Sequence, residues 1–285
     1  MKKIRIVVDS AADFPVSSVV ARNQITIVPH TIHFGDEKFI DGEEMDAERF
    51  FQHISHDVPY PQLHAPTVEQ FAQVYSDLAQ TTDQIISLHT SHTLSKSWEN
   101  ARAAANSMLG RCEIAVLDAQ TTAVGLGLLT EATAKAANEI ERIEDAVRFV
   151  RGAIGRIYSV FYVDTLDYIQ HNGLLGEAQA ILGAMLNIKP FLTIEEGHLT
   201  TMEKVRTRSQ AVDKLVEFVT EFDDIERLVI VQNSPFMTEA VRLLQDRLAA
   251  ELSQRNFPMM LYGPMLASYL GPDATGVIVL EREYE

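Results

Sequence analysis

The stretch Thr90-Ser91-His92-Thr93-Leu94-Ser95 gathers four hydroxyls and one imidazole within six residues. It lies between an apolar run at 84–88 that reads as a strand and an Ala-rich stretch at 93–108 that reads as a helix. Open α/β sheets bind ligands beyond the carboxyl ends of their strands. Free amide protons and the dipole at a helix start favour an anion there, and hydroxyls add directional donors. The same residues admit a plainer reading, in which Thr93 or Ser95 only caps the helix. Two further segments end strand-like runs in the same way: Asp9-Ser10 and Asp118-Ala119-Gln120-Thr121-Thr122.

Other arrangements of reactive residues point to no particular chemistry. Histidines recur three apart, at His30 and His33, His53 and His56, and His89 and His92. Only the second pair falls on a segment with helical spacing, there is no HExxH, and two ligands are too few for a zinc site. These histidines are therefore expected to be ordinary surface residues, with no metal. The chain has no GxxxxGK[ST], no GxGxxG and no GxSxG. Gly125-Leu126-Gly127 reads as close helix–sheet packing, and Cys112, beside an apolar run, as a buried, inert thiol. Asp164-Thr165 reads as a helix cap. Trp98 reads as packing or as the lining of a channel, and Arg206 as an ion pair or an anion contact. No cofactor is expected.

The elements that must hold these residues follow from the spacing of apolar positions. In the first half, strands at 4–8, 25–28, 84–88 and 113–117 alternate with helical stretches opening at Phe14-Pro15 and at 47–54, 68–78, 93–108, 124–140 and 143–154. Residues 31–39 read as a hairpin or an irregular loop, and Thr67 with Gln70 forms a capping box. Such alternation implies a mostly parallel sheet covered by helices on both faces. The second half reads differently. A strand at 157–163 and helices at 165–170 and 177–186 lead to a hairpin, 188–194 with 198–204, around Glu195-Glu196-Gly197. A helix at 210–222, a strand at 228–231, a helix at 238–252 and strands at 259–262 and 276–280 follow. The expected fold is α/β. A three-layer α/β/α domain with a mostly parallel sheet spans 1–156, and a second α/β domain with a mixed sheet spans 157–285.

Composition narrows the partners. The 285 residues carry a formal net charge of −16, with Lys204, Arg206 and Arg208 as a short basic cluster. Nucleic-acid binding draws on phosphate neutralisation by Lys and Arg, so nucleic acid is not an expected partner. The same charge opposes docking on an anionic membrane, and no apolar run reaches the ~18 residues needed to span a bilayer. A single cysteine and the lack of a long apolar leader run favour the cytoplasm as the expected location.

Taken in order, several blocks resemble the DegV family. They are Val8-Asp9-Ser10-Ala11-Ala12-Asp13-Phe14-Pro15, the serine loop from Ser91 to Ala101, and Leu117-Asp118 with Gly125-Leu126-Gly127-Leu128-Leu129. Then come Val163-Asp164-Thr165-Leu166, Ala178-Gln179, Leu186-Asn187-Ile188-Lys189-Pro190, Glu203-Lys204-Val205-Arg206, and Leu270-Gly271-Pro272 with Ala274 and Gly276. The resemblance covers nearly the whole chain. It implies a non-catalytic protein holding a long-chain fatty acid in a tunnel between two domains, and presenting the carboxyl group to a separate fatty acid kinase that forms the acyl phosphate. The ligand contacts it implies, together with the serine-loop reading, are Ser10, Ser91, His92, Thr93, Ser95, Arg206, Tyr269 and Gly271.

The chain departs from the family pattern at polar positions. His92 stands in place of a second serine, Leu63-His64-Ala65 in place of Thr-Ser-Gln, Asn172-Gly173-Leu174 in place of Gly-Gly-Arg, Tyr269 in place of His, and Asp273 where Gly is common. Alternatives to the fatty-acid reading are an acyl-group hydrolase or transferase, a DegV-like protein binding another lipid, and an acidic scaffold for a protein partner.

Overall fold

A computed structural model of the chain describes residues 4–54, 59–174, 188–252 and 254–283. Its first sheet is built from β1 (Arg5–Asp9), β2 (Thr26–Val28), β6 (Gln84–His89) and β7 (Glu113–Asp118), in the order β2-β1-β6-β7 with every pairing parallel. Side chains alternate along these strands, so each strand feeds two cores. Val7 and Ile85 point to one face with Phe71, Tyr75 and Ala101 of helices α3 (Val68–Leu78) and α4 (Ser97–Asn106). Ile6, Val8, Ile86 and Leu88 point to the other face, against α5 (Ala123–Glu139) and α6 (Ile143–Ile154). The three expected layers are present. Helix α1 (Ser18–Asn23) follows β1, starting later than Pro15. The capping box of Thr67 and Gln70 is formed at the start of α3.

A six-stranded mixed sheet occupies the second half. Its strands are β8 (Ile157–Val163), β9 (Lys189–Glu195), β10 (His198–Val205), β11 (Ile225–Gln232), β12 (Met259–Leu261) and β13 (Ala274–Glu281), in the order β10-β9-β8-β13-β11-β12. Only β11 with β12 is parallel. One face is covered by α8 (Arg208–Thr220) and α9 (Glu239–Glu251), which bury Val212, Leu215, Leu244 and Leu248 against Val160, Val277 and Val279.

The opposite face, carrying Phe161, Val163, Leu192, Val229 and Ile278, meets α5 through Val124 and Leu128. Leu126 and Leu129 of the same helix serve the parallel sheet. Helix α5 is therefore a layer shared between the two sheets, which is why its apolar residues run round most of its circumference. At one side of this seam a three-stranded antiparallel sheet adds Ile32 and Phe34. It comprises β3 (Thr31–Phe34), β4 (Glu37–Ile40) and β5 (Gln62–His64), and α2 (Ala47–His53) adds Phe50.

Several expectations need correction. Helix α4 begins at Ser97, not at Thr93: residues 90–96 form turns and carry no helical ladder. The short helix α7 (Asp167–His171) is not capped by Asp164, whose carboxylate pairs with Lys189 and Arg208 instead. Strand β5 and the helix α10 (Pro264–Leu270) were not expected. The helix expected at 177–186 lies outside the described residues. Gly125 and Gly127 do pack closely, Gly125 beside Ile157 of β8, but Gly127 meets the backbone of Asp13 after β1 instead of a strand.

Candidate functional site

The carboxyl ends of β1, β6 and β7 converge where the parallel sheet faces the mixed one. Asp9 closes β1 and is wholly buried. It accepts from the Thr90 and Ala11 amides at 3.0 and 3.1 Å and lies 3.1 Å from His89 Nδ1. Burial pushes the Asp9 carboxyl up, but the His89 bond, the nearby imidazoles and the Thr90 amide outweigh it, so the group stays below its ordinary value. His89 Nε2 continues through Ser87, 2.7 Å away, to the Tyr75 hydroxyl. His30 and His89 are thus fully buried, not surface residues as their spacing implied.

Ser10 anchors a second chain. Its Oγ donates to Asp41 Oδ2 at 2.6 Å, accepts the His30 amide at 2.9 Å, and lies 3.1 Å from His30 Nδ1. When Asp41 is ionised and takes the one proton of Ser10, Ser10 can only accept from the ring, so Nδ1 then carries the imidazole proton. His30 Nε2 then offers a lone pair to Ser95 Oγ and Ser97 Oγ, both 3.1 Å away and 2.9 Å from each other. Burial holds Asp41 up at about 7, opposed by the Ser10 hydrogen bond and reinforced by the charge of Asp9. Burial likewise raises Asp13 to about 7, opposed by the Gly263 amide that donates to it at 2.7 Å and reinforced by Asp41. Burial lowers His30, which keeps its ring neutral.

The loop itself is tied inward. Thr93 donates its hydroxyl proton to the Gly197 carbonyl at 2.5 Å, so Ser91, 3.1 Å from Thr93 Oγ1, is the donor of that pair. Gly197 turns the β9–β10 hairpin at φ +83°, and a Cβ there would strike Ser91 Oγ. Tyr269 of α10 donates to the Leu94 carbonyl at 2.9 Å. Thr121 and Thr122, at the start of α5, are buried with unpartnered hydroxyls, between Gln120 and Ala123 at positive φ.

Ser10, Ser91, Thr93, Ser95 and Tyr269 are thus brought together, and the loop's Leu94 packs on the apolar seam between the sheets, as do Leu63, Leu174 and Tyr269. His92 turns outward, half-exposed, its Nδ1 2.5 Å from Asp118 Oδ2. Its ring lies 6.0 Å from that of Trp98, which Arg102 covers at 4.4 Å. Gly271 follows α10 at φ +81°, pressed against the Tyr168 ring, and its carbonyl accepts from Tyr262 at 2.8 Å.

Arg206 is not drawn in. It is exposed, without an ion pair among the described residues, just past the end of β10 remote from Gly197. Eight strand residues at roughly 3.3 Å each separate it from the loop. The residues that sequence reasoning missed are His30, Asp41, His89 and Ser97. The only signal was the recurring histidine spacing. Among the described residues, no group of three or more His, Cys, Asp or Glu could hold a metal ion, and no helix is long and apolar enough to cross a membrane.

Comparison with known proteins agrees with this architecture. A DegV domain-containing protein of Caldanaerobacter subterraneus subsp. tengcongensis is 30% identical, with 99% of this chain and all of that protein aligned. Among solved structures, a DegV family protein from Thermus thermophilus, described by its fatty acid binding, superposes with a TM-score of 0.83 at 26% identity, over 98% of this chain and all of that one. A fatty-acid-binding DegV family protein from Streptococcus agalactiae reaches 0.88 at 20% identity, over 99% and 100%, a likeness of fold. The family profile described as "Uncharacterised protein, DegV family" matches residues 3–282, and this chain belongs to that family.

Proposed function

We propose that this protein holds one long-chain fatty acid without transforming it, and presents its carboxyl group to a separate fatty acid kinase in the cytoplasm. The observation that carries the reading is the polar loop from Ser91 to Ser95 at one end of an apolar seam shared by two sheets. In this reading residues 1–156 and 157–285 act as two lobes, with the tail held between them. Burying each methylene is worth ~0.8 kcal/mol, so a long chain gains on the order of 10 kcal/mol before association costs. The fatty acid binding of the Thermus thermophilus relative supports the ligand class. Ser95 is the proposed head-group donor, because Ser10, Ser91, Thr93 and Tyr269 have committed their protons elsewhere. Their role is to position the loop.

Mass spectrometry of an organic extract of the purified protein tests this, and one fatty acid per chain is expected. An empty or polar extract from several preparations, together with no uptake of added fatty acid, removes the reading. Adding ATP and a fatty acid kinase tests the handover: acyl phosphate should form only when all components are present.

A further inference from the structure

The hydroxyl protons around Ser95 can be counted contact by contact. With Asp41 ionised and His30 neutral, Ser10 donates to Asp41 and His30 Nδ1 donates to Ser10. The two protons of Ser95 and Ser97 then serve two of the three contacts, of 2.9 to 3.1 Å, among Ser95, Ser97 and His30 Nε2. A carboxylate at Ser95 has only lone pairs to offer, so Ser95 must turn its proton outward. Ser97 is fully buried and has one proton, which cannot serve both Nε2 and Ser95. Two of the three contacts are then left with lone pairs facing each other, one more than in the ligand-free site, a costly arrangement in a buried place.

One added proton removes the conflict. With that proton, Asp41 donates to Ser10, Ser10 to His30 Nδ1, Nε2–H to Ser97, Ser97 to Ser95, and Ser95 to the ligand. Each link of the chain then holds one hydrogen, and a proton on Asp41 or on the ring gives the same result at Ser95.

We propose that the ligand's carboxylate enters together with one proton taken up by the Asp41–Ser10–His30 chain, and that these three residues set the head-group polarity of the site. The inference rests on the fatty-acid reading above and deepens it. No bond to the ligand is made or broken; a proton from solvent is gained on binding and returned on release. Surrounding charge favours the uptake. Asp9 and Asp13, from β1 and the loop after it, face Asp41, and a ligand carboxylate adds to them. The imidazoles at hand are His30, from the link between β2 and β3, and His89, which is tied to Asp9. An Asp41 carboxyl poised at about 7 needs little change to hold the proton.

The test is calorimetric titration of the full chain, stripped of lipid, with a soluble long-chain fatty acid in buffers of different ionisation enthalpy. Proton uptake should approach one per ligand above about pH 8, and Kd should weaken towards tenfold per pH unit there. Asp41→Asn supplies a permanent amide donor to Ser10. It should bind with no proton uptake, and as tightly at pH 8.5 as the parent does near pH 6. Zero uptake by the parent protein overturns the proposal, and so does an unchanged pH slope in a folded Asp41→Asn, since the slope would then belong to the ligand. Should Asp41→Asn fail to fold, the proton count on the parent protein decides alone. Failure to bind at any pH overturns the fatty-acid reading as well, whereas binding without proton uptake leaves that reading standing.

Discussion

Thr93 gives its hydroxyl proton to the Gly197 carbonyl, and Ser91 fills the space above Gly197 where a side chain would stand. The loop's shape therefore depends on a hairpin from the other sheet. Gly197→Ala places a Cβ at φ +83° and against Ser91 Oγ. It should lower Tm and weaken fatty-acid affinity about tenfold, read by thermal melting and titration; unchanged affinity would show that the hairpin does not shape the loop. Asp13 gives the pH dependence. Burial holds its folded value at about 7 against an ordinary 3.8. The folded state thus binds the proton more tightly than the unfolded chain, so this contribution is full below about pH 4 and is lost as pH rises through 7. Asp13→Asn, whose amide oxygen still accepts from Gly263, should melt higher than the parent at pH 8 and nearly equally at pH 4. A Tm difference that is flat with pH would contradict the assignment.

Elements with long, regular apolar patterns were legible in the sequence: α3 and α6 have the expected bounds, and β8 ends as expected. Elements without a pattern were not. In α10, Met265, Leu266, Ala267, Ser268 and Leu270 are all buried, so no polar face marks the 3.6-residue period. Strand β5 has three residues, too few to show alternation. The start of α4 was set too early because a run of Ser and Thr resembles a cap, while here those hydroxyls bind one another, His30 and Gly197. The N-cap of α3 separates helix stability from ligand binding. Thr67→Ala removes the hydroxyl that accepts from the Gln70 amide and leaves the bond from the residue 67 amide to Gln70, so it should cost about 1 kcal/mol in denaturant unfolding and leave fatty-acid affinity unchanged.

At the scale of the molecule, the site is made where two sheets share α5, and this explains what the sequence concealed. Ser91 and Ser95 were visible because they are adjacent in the chain. Asp41 and His30 reach them from the end of β4 and the link before β3, a juxtaposition only the fold creates. The shared seam also makes the ligand and the fold interdependent. A ligand that binds only the folded chain stabilises it by about 2.7 kcal/mol at a hundredfold excess over Kd. Added fatty acid should therefore raise Tm in the lipid-stripped protein. Leu63 on β5 is partly buried and packs on the seam beside both α5 cores, so in the proposed reading a larger side chain there should enter the tail's path instead of displacing a packed strand. Leu63→Trp should cost no more than the ~1–3 kcal/mol of an overpacked position. It should nevertheless abolish the Tm rise given by a long-chain acid, while a short-chain acid that reaches only Ser95 still registers by its proton uptake. If Leu63→Trp keeps the full long-chain shift, the alkyl tail does not pass β5, and the seam must be entered from the other side of the mixed sheet's edge.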